Sequence, residues 1–437
     1  MKKLFIFLLT LVVIVVAFVA FLLTPVGSNL LKEVLQSQIN KYVPGVEVSY
    51  LDYGINNFKV ILKKGNNELN VYGKMYPLKA VFDGKADDLS EISEYYRGKM
   101  KVSGKIYKEN EEFVLNGKAF FAKSDMDFKL KLGKNYVDLH ARGNNFDLKE
   151  LMYMIKVDIP YVEGRSDIII NKSADSDFKI RFRSTGDYNG KIKTPFNALT
   201  KIIMKHRNDL EFESTVNTKI TNINFKGKVL PQKVQYSFVT GKFDLKYLRP
   251  VIMYPFNITT KLEGSYDSSN DILKFQGDGF EGFKDKALVI TFKLNDDKFF
   301  KYVNLPKLFD GEISGSIKIS DGIGVFDMVN NNSAFVPNEF TQKIEKLTGV
   351  NLVNQHISKI FLKGYFNDKG MIYDMLCTNK KLFLSIKKGK FIYPNLYEMV
   401  LFLRNGNYVY KVLINNKEFK IIDKLLFKES NNKVLVF

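Results

Sequence analysis

The sequence predicts a mainly β fold: a single N-terminal transmembrane helix followed by an elongated, curled antiparallel β-sheet with a few short capping helices. Three observations carry this. Apolar and polar residues alternate with a period of two through most of the chain after Val46, the pattern of strands with one dry and one wet face. A strand–cap–strand unit recurs along the chain. One uncharged run of twenty residues, Leu4–Leu23, stands near the N-terminus.

The recurring unit is clearest in Gly241–Gly264, GKFDLKYLRPVIMYPFNITTKLEG, and in 145–164, NFDLKELMYMIKVDIPYVEG. In each, Phe-Asp-Leu-Lys-x-Leu starts at Phe243 or Phe146, a short apolar run follows, and an extended stretch closes on a glycine. Looser copies at 87–104 and 297–315 keep only the layout. The closing glycines, Gly104, Gly164, Gly264 and Gly315, are unevenly spaced, which excludes a short-period solenoid. The expectation is a long sheet extended by similar units, each with strands and one short helical cap.

At the start of the chain, Met1-Lys2-Lys3 precedes the uncharged run, whose one polar member is Thr10. A helix of that length spans about 30 Å, the hydrocarbon thickness of a bilayer. Residues 1–24, with Leu4, Phe5, Phe18 and Leu23 as anchor residues, are read as an uncleaved signal-anchor. The competing reading is a cleaved signal peptide, whose apolar core is about 7–15 residues long; this one is longer. Lys2 and Lys3 stay on the cytoplasmic side, so the rest of the chain lies outside.

Asn29–Asn40 follows as a helix, capped by Ser28 or Asn29, with Leu31, Val34, Leu35 and Ile39 on one face. Pro44-Gly45 turns the chain. In the strands beyond, Met126, Phe128, Leu130 and Leu132 alternate with Asp127, Lys129 and Lys131, and Phe178, Ile180 and Phe182 with Lys179, Arg181 and Arg183. Leu210, Phe212, Val216 and Ile220 share one parity, and Leu288, Ile290, Phe292 and Leu294 another. The turns at Lys64–Asn67, Asp187–Gly190 and Ser268–Asp271 are short, so neighbouring strands are antiparallel. On the order of two dozen strands at about 4.8 Å each make a sheet that curls or folds over. Pro195–Arg207 and Pro337–Thr348 read as helices, the second with Phe340, Ile344 and Leu347 on one side. The length suits two or three domains or one elongated sheet. The division taken is 1–24 anchor, 25–335 repeated β region and 336–437 C-terminal helix and β block, with 431–437 as a final edge strand.

Composition limits the partners. A formal charge of +19 invites nucleic acid, an anionic membrane surface or an acidic partner. The lysines are scattered, however, which is the pattern of a solvated face. The aromatics sit at strand-core parity rather than interleaved with arginine, so no nucleic-acid partner is assigned. One cysteine, Cys377, excludes an intramolecular disulfide and a cysteine-based zinc site. His140, His206 and His356 lie far apart in sequence. No GxSxG elbow, phosphate-binding loop or GxGxxG motif is present. Ser314 lacks a nucleophile elbow, and the run Ser265–Asp271 lacks the spacing of a calcium loop. Asp87-Asp88 and Asp296-Asp297 fall in predicted turns. No catalytic residue, metal or cofactor is assigned, and the chain is read as no enzyme.

The opening LTPVGSNLLKEVLQSQINKYVPGVEVSYLDYG after the anchor, the FDLKxL caps and the block Phe361–Tyr393 resemble the AsmA-like family of bacterial envelope proteins, which includes TamB. The resemblance covers nearly the whole chain as a layout. It implies a single-pass inner-membrane protein, the bulk of it in the periplasm, whose sheet folds over into a groove with an apolar lining. Phospholipid acyl chains would bind or pass along that groove in envelope and outer-membrane lipid homeostasis, with an outer-membrane or envelope protein as a further partner. The groove candidates are Met126, Phe128, Leu130, Phe178, Ile180, Phe212, Val216, Ile290 and Phe292, while outward Lys129, Lys179 and Arg181 suit anionic headgroups. The chain departs from the family in being shorter than the large bridging members and in lacking a clear module for docking on an outer-membrane barrel. The alternative is a membrane-anchored scaffold for outer-membrane protein assembly with a filled β core.

Overall fold

The computed structural model describes residues 28–426, apart from 43, 55, 94–95, 135, 157–159, 175, 207–208, 231–232, 255, 304, 354, 380–381 and 394–395. The anchor assigned to 1–24 and the edge strand assigned to 431–437 lie outside them. Among the described residues no helix is long and apolar enough to cross a membrane. The fold is mainly β, in curled antiparallel sheets with few short helices. Two compact units are present, one of Met1–Lys219 with Lys226–Gln232, the other of Ile220–Phe225 with Lys233–Phe437.

The first unit opens with helix α1, Ser28–Tyr42. Leu35 and Ile39, one turn apart, are 4% and 1% exposed against Val46, Val48 and Phe58, so the helix packs on the sheet. Its Gln36 side chain joins the open side of the first strand: the Gln36 amide donates to the Val46 carbonyl, and Val48 N–H donates to Gln36 Oε1 at 2.7 Å. The strands are β1 (Glu47–Tyr53), β2 (Asn57–Lys64), β3 (Asn67–Lys74), β4 (Lys79–Ala86), β5 (Met100–Glu109) and β6 (Glu112–Phe121). They continue as β7 (Ser124–Leu132), β8 (Val137–Asp147), β9 (Val162–Lys172), β10 (Phe178–Asn189), β11 (Lys193–His206) and β12 (Asp209–Thr218). Each pairs antiparallel with the next. Strand β13, Asn222–Leu230, contributes residues to both units.

The stretch expected to be helical at Pro195–Arg207 is instead β11. Phe196, Ala198, Thr200, Ile202 and Met204 pair in register with β10 and β12. Outward Leu199 and Ile203 give the sequence its helical spacing, but Leu199 is left 43% exposed. Two ladders outweigh local propensity here.

The second unit contains β14 (Lys233–Thr240), the two-residue strands β15 (Phe243–Asp244) and β16 (Thr259–Thr260), β17 (Glu263–Asp267), β18 (Ile272–Gly277), β19 (Phe280–Lys284) and β20 (Leu288–Asn295). After these come β21 (Glu312–Ser320), β22 (Ile323–Ala334), β23 (His356–Phe366), β24 (Gly370–Thr378), β25 (Phe383–Ile392), β26 (Leu396–Asn405), β27 (Tyr408–Asn415) and β28 (Phe419–Leu426). From β17 on, each strand pairs antiparallel with the next, and β14 pairs with β17. Strands β15 and β16 form a separate two-stranded ladder.

Four short helical caps interrupt these meanders, one for each copy of the recurring unit. They are a 3₁₀ turn at Leu89–Glu91, helix α2 (Leu148–Met154), a 3₁₀ turn at Leu245–Leu248 running into α3 (Arg249–Ile252), and α4 (Asp296–Tyr302). Each begins on an Asx residue whose side chain takes a backbone N–H: Asp88 from Ser90 at 2.9 Å, Asp147 from Glu150 at 3.0 Å, Asp244 from Lys246 at 2.9 Å and Asn295 from Lys298 at 3.0 Å. Such a cap fills one of the donors that a helix start leaves unpaired.

Helix α5, Glu339–Thr348, is as the sequence predicts. Asn338 and Thr341 form a reciprocal capping box, Gly349 ends it at φ 71°, and Ile344 is fully buried. Ile344, Ile360 and Leu384 share one buried cluster with Ile313, Ile317 and Phe326. Residues 336–426 and the strands before them therefore have a common core.

Candidate functional site

Because cross-strand partners point to the same side of a sheet, the registers show which strand residues share a face. In the first unit Phe128, Ala141, Ile170, Ile180, Ile202 and Phe212 are successive partners across β7 to β12. Leu130 and Phe178 lie on the row to one side, and Met126 and Val216 on rows to the other. All seven candidates of this unit thus share one face.

That face is closed at one end and half-open at the other. Phe128 and Leu130 are 6% and 1% exposed inside a cluster with Phe82, Leu115 and the α1 residues. Ile180 is 1% exposed in a second cluster, formed under α2 with Phe146, Leu151 and Met154. Met126 and Phe178 are half-buried against these clusters. Phe212 and Val216, by contrast, are half-buried and belong to none of the buried clusters described. Phe196, Ile202 and Leu210 beside them are likewise only half-covered. Hydroxyls on this face pair with one another, Ser166 with Ser184 at 2.9 Å and Thr200 with Ser214 at 2.8 Å.

The second unit repeats the arrangement with different residues. Phe238, Gly264, Phe275, Gly282, Ile290, Ile317 and Phe326 are successive partners from β14 to β22. The row is half-buried as far as Ile290 and closed at Ile317 and Phe326, 6% and 4% exposed. Phe292, on the next row, is half-buried with its ring stacked 6.1 Å from Phe299 of α4. Rings lie over the glycines of this row. A Cβ on Gly264 would stand 2.5 Å from Phe238 Cε1 and 2.2 Å from the Lys274 carbonyl oxygen. Only glycine lets the ring fold down onto the strand there.

The caps hold the ends of these faces. Phe146 is fully buried and stacks 4.7 Å from Phe121, and Leu148, Leu151 and Met154 of α2 are each 8% exposed. Lys123 Nζ stands 2.8 Å from Asp147. Burial opposes ionisation of Asp147, but the Lys123 hydrogen bond and the Glu150 N–H outweigh it and hold the carboxyl below its ordinary value. Asp244 is held low in the same way, burial being outweighed by the backbone and side chain of Lys246.

The polar candidates singled out in the sequence lie apart from one another among the described residues. Among the described residues no cluster of His, Cys, Asp and Glu is arranged to hold a metal ion. His140 lies beside Asn171 Oδ1 at 2.9 Å and Asp138 at 3.0 Å on the outward side of its strand, and His356 is exposed. Asp88 caps a turn, and Asp296 and Asp297 both meet Lys307. Asp267 takes the Ser269 N–H at 2.9 Å within its own turn. Cys377 is fully buried, and that burial pushes its thiol far above the ordinary value. Lys129, Lys179 and Arg181 are exposed on the outward face. What the arrangement presents is an apolar face, covered at one end and partly exposed at the other. Strand parity locates the face in the sequence; which end of it is covered depends on α1 and α2, and no sequence signal carries that. No protein-family model, curated protein or solved structure matches this chain.

Proposed function

We propose that the half-open apolar face of each unit binds phospholipid acyl chains, in a membrane-anchored, AsmA-like protein of the bacterial envelope. The observation that carries this is the state of Phe212 and Val216. Phe212 continues the row that is dry at Phe128 and Val216 lies on a neighbouring row of the same face, yet both stay partly exposed and join none of the buried clusters. Leaving large apolar side chains partly in water costs free energy that an acyl chain recovers by covering them. The paired hydroxyls on the same face make no demand on such a ligand. The closed clusters around Phe128, Leu130 and Ile180 limit binding to the β11–β12 side of the first unit and, by the same reasoning, to the β14–β20 side of the second. Those filled clusters also favour a second reading, an anchored scaffold whose cores are ordinary packing. Native mass spectrometry of the full chain, extracted gently from membranes, separates the two. Bound phospholipid that is lost on Phe212→Asp supports the acyl-chain reading. A folded protein that carries no lipid in either form supports the scaffold.

A further inference from the structure

The outward face of the last strands departs from the solvated pattern. In the first unit the outward positions of β7 are Asp125, Asp127, Lys129 and Lys131, all charged. In the second, Val329, Phe361, Leu376, Ser385, Phe402 and Lys411 are successive outward partners across β22 to β27. A second outward row runs Val325, Tyr365, Ile372, Lys390. The exposed apolar members are Phe361 at 43%, Tyr365 at 51% and Val325 at 53%, whereas Val329, Ile372, Leu376 and Phe402 are half-buried and Ser385 is buried.

Cations are set among them. Lys359, Lys387 and Lys420 are exposed, and their cross-strand partners are Asn331 and Thr378, Val400, and Leu413. None of these partners is acidic. Lys359 Nζ lies 6.0 Å from the Phe361 ring and Lys411 Nζ 5.8 Å from the Phe402 ring, so the lysine stems run along the aromatic surface with their ammonium groups outermost. Lys363 stands between Asp327 and Asp374, Lys390 opposite Glu398 and Lys411 opposite Asp423, whereas Lys359, Lys387 and Lys420 have no acidic cross-strand partner. The acids on the same face are Asp327, Asp374, Glu398 and Asp423, and Asp374 is occupied by the Lys388 backbone N–H at 2.8 Å. The apolar groups are spread over several strands rather than gathered in a pocket. A surface of that kind matches a partner that conforms to it and supplies diffuse negative charge.

We propose that the outward face of β22–β28 docks on an anionic lipid bilayer surface, with Phe361 and Tyr365 entering the interface and Lys359, Lys387 and Lys420 contacting headgroups. This does not rest on acyl-chain binding at the inner face. The test is flotation of the full chain, held in phosphatidylcholine nanodiscs, with vesicles of phosphatidylcholine alone or containing roughly a third phosphatidylglycerol. The expected result is flotation with the anionic vesicles only, lost at high salt. Changing Lys359, Lys387 and Lys420 together to Gln weakens it by at least about tenfold, and Phe361→Ser with Tyr365→Ser weakens it with the lysines intact. All five side chains are solvent-facing, and an unchanged thermal melt confirms that the variants are folded. Absence of flotation with anionic vesicles, or equal flotation of the wild type and the triple-Gln variant, overturns the proposal; binding of a protein without vesicles assigns the face to a protein partner instead. Phe212→Asp leaves flotation unchanged, so failure of either proposal is distinguishable from failure of the other.

Discussion

Replacing Phe212 by Asp places a carboxylate in the half-open part of the first unit's apolar row. Phe212 keeps less than about a third of its surface exposed. Of the order of 200 Å² of apolar surface that a phenylalanine presents, that leaves roughly 50 Å² for a ligand to bury. At about 25 cal/mol per Å² this contact stabilises the complex by ~1.3 kcal/mol, roughly eightfold in affinity. The carboxylate adds a desolvation cost, since an acyl chain offers it no hydrogen bond. The loss of lipid is therefore at least that large. The assay is the phospholipid-to-protein ratio by native mass spectrometry, backed by photo-crosslinking of labelled lipid in membranes. Leu130→Ala is the counterpart. At 1% exposure in a closed cluster, it lowers stability by about 2–5 kcal/mol and leaves the lipid carried per folded molecule unchanged. Equal lipid occupancy in folded Phe212→Asp and wild type refutes the reasoning, as does an equal loss of lipid in both variants.

The caps and glycines give further expectations. Asp147→Ala removes the start of α2 and lowers stability by about 1 kcal/mol, read as a lower midpoint in urea; Asp244→Ala acts the same way on its 3₁₀ turn. Gly104→Ala would put a Cβ 2.4 Å from the Asn116 carbonyl oxygen and 2.6 Å from the Phe82 ring, destabilising by about 1–3 kcal/mol in the same measurement. The pH dependence follows from Asp147 and Asp244, whose folded-state values lie below the ordinary 3.8. The stability they add is complete above that value and is lost as pH falls through the lower one. Wild type therefore loses stability below roughly pH 4, and the Asp147→Asn, Asp244→Asn double variant follows a flatter acid profile. An identical profile removes both carboxylates from the account.

Much of this architecture can be read from the sequence because strands and caps are local. Phe128 and Leu130 in β7, or Phe212 and Val216 in β12, declare their common face by parity alone. The FDLKxL hexapeptide carries its own capping residue and its own buried leucines, so α2 and the Leu245–Leu248 turn are visible without any partner. The looser copies hide the same device: Asp88 and Asn295 cap as Asp147 and Asp244 do, but outside any shared hexapeptide. Pro195–Arg207 misleads because outward Leu199 and Ile203 complete a helical spacing, and only the ladders on both sides decide for a strand. The state of the candidate face is not legible at all. Phe128 and Phe212 have the same alternation, yet Phe128 is enclosed in a cluster that brings together α1 and strands from β1 to β8, while Phe212 joins none of the buried clusters.

A sheet built from recurring units has no intrinsic reason to end, since each strand offers the next a complete template. At β1 that template is met by a counterfeit. The carboxamide of Gln36 presents a donor and an acceptor with the spacing of a peptide group, and it occupies the Val46 and Val48 positions where another chain would begin to add. The first pairing positions of this margin are thus satisfied from within the chain, by a side chain on a helix whose Leu35 and Ile39 are buried with the same Val46 and Val48.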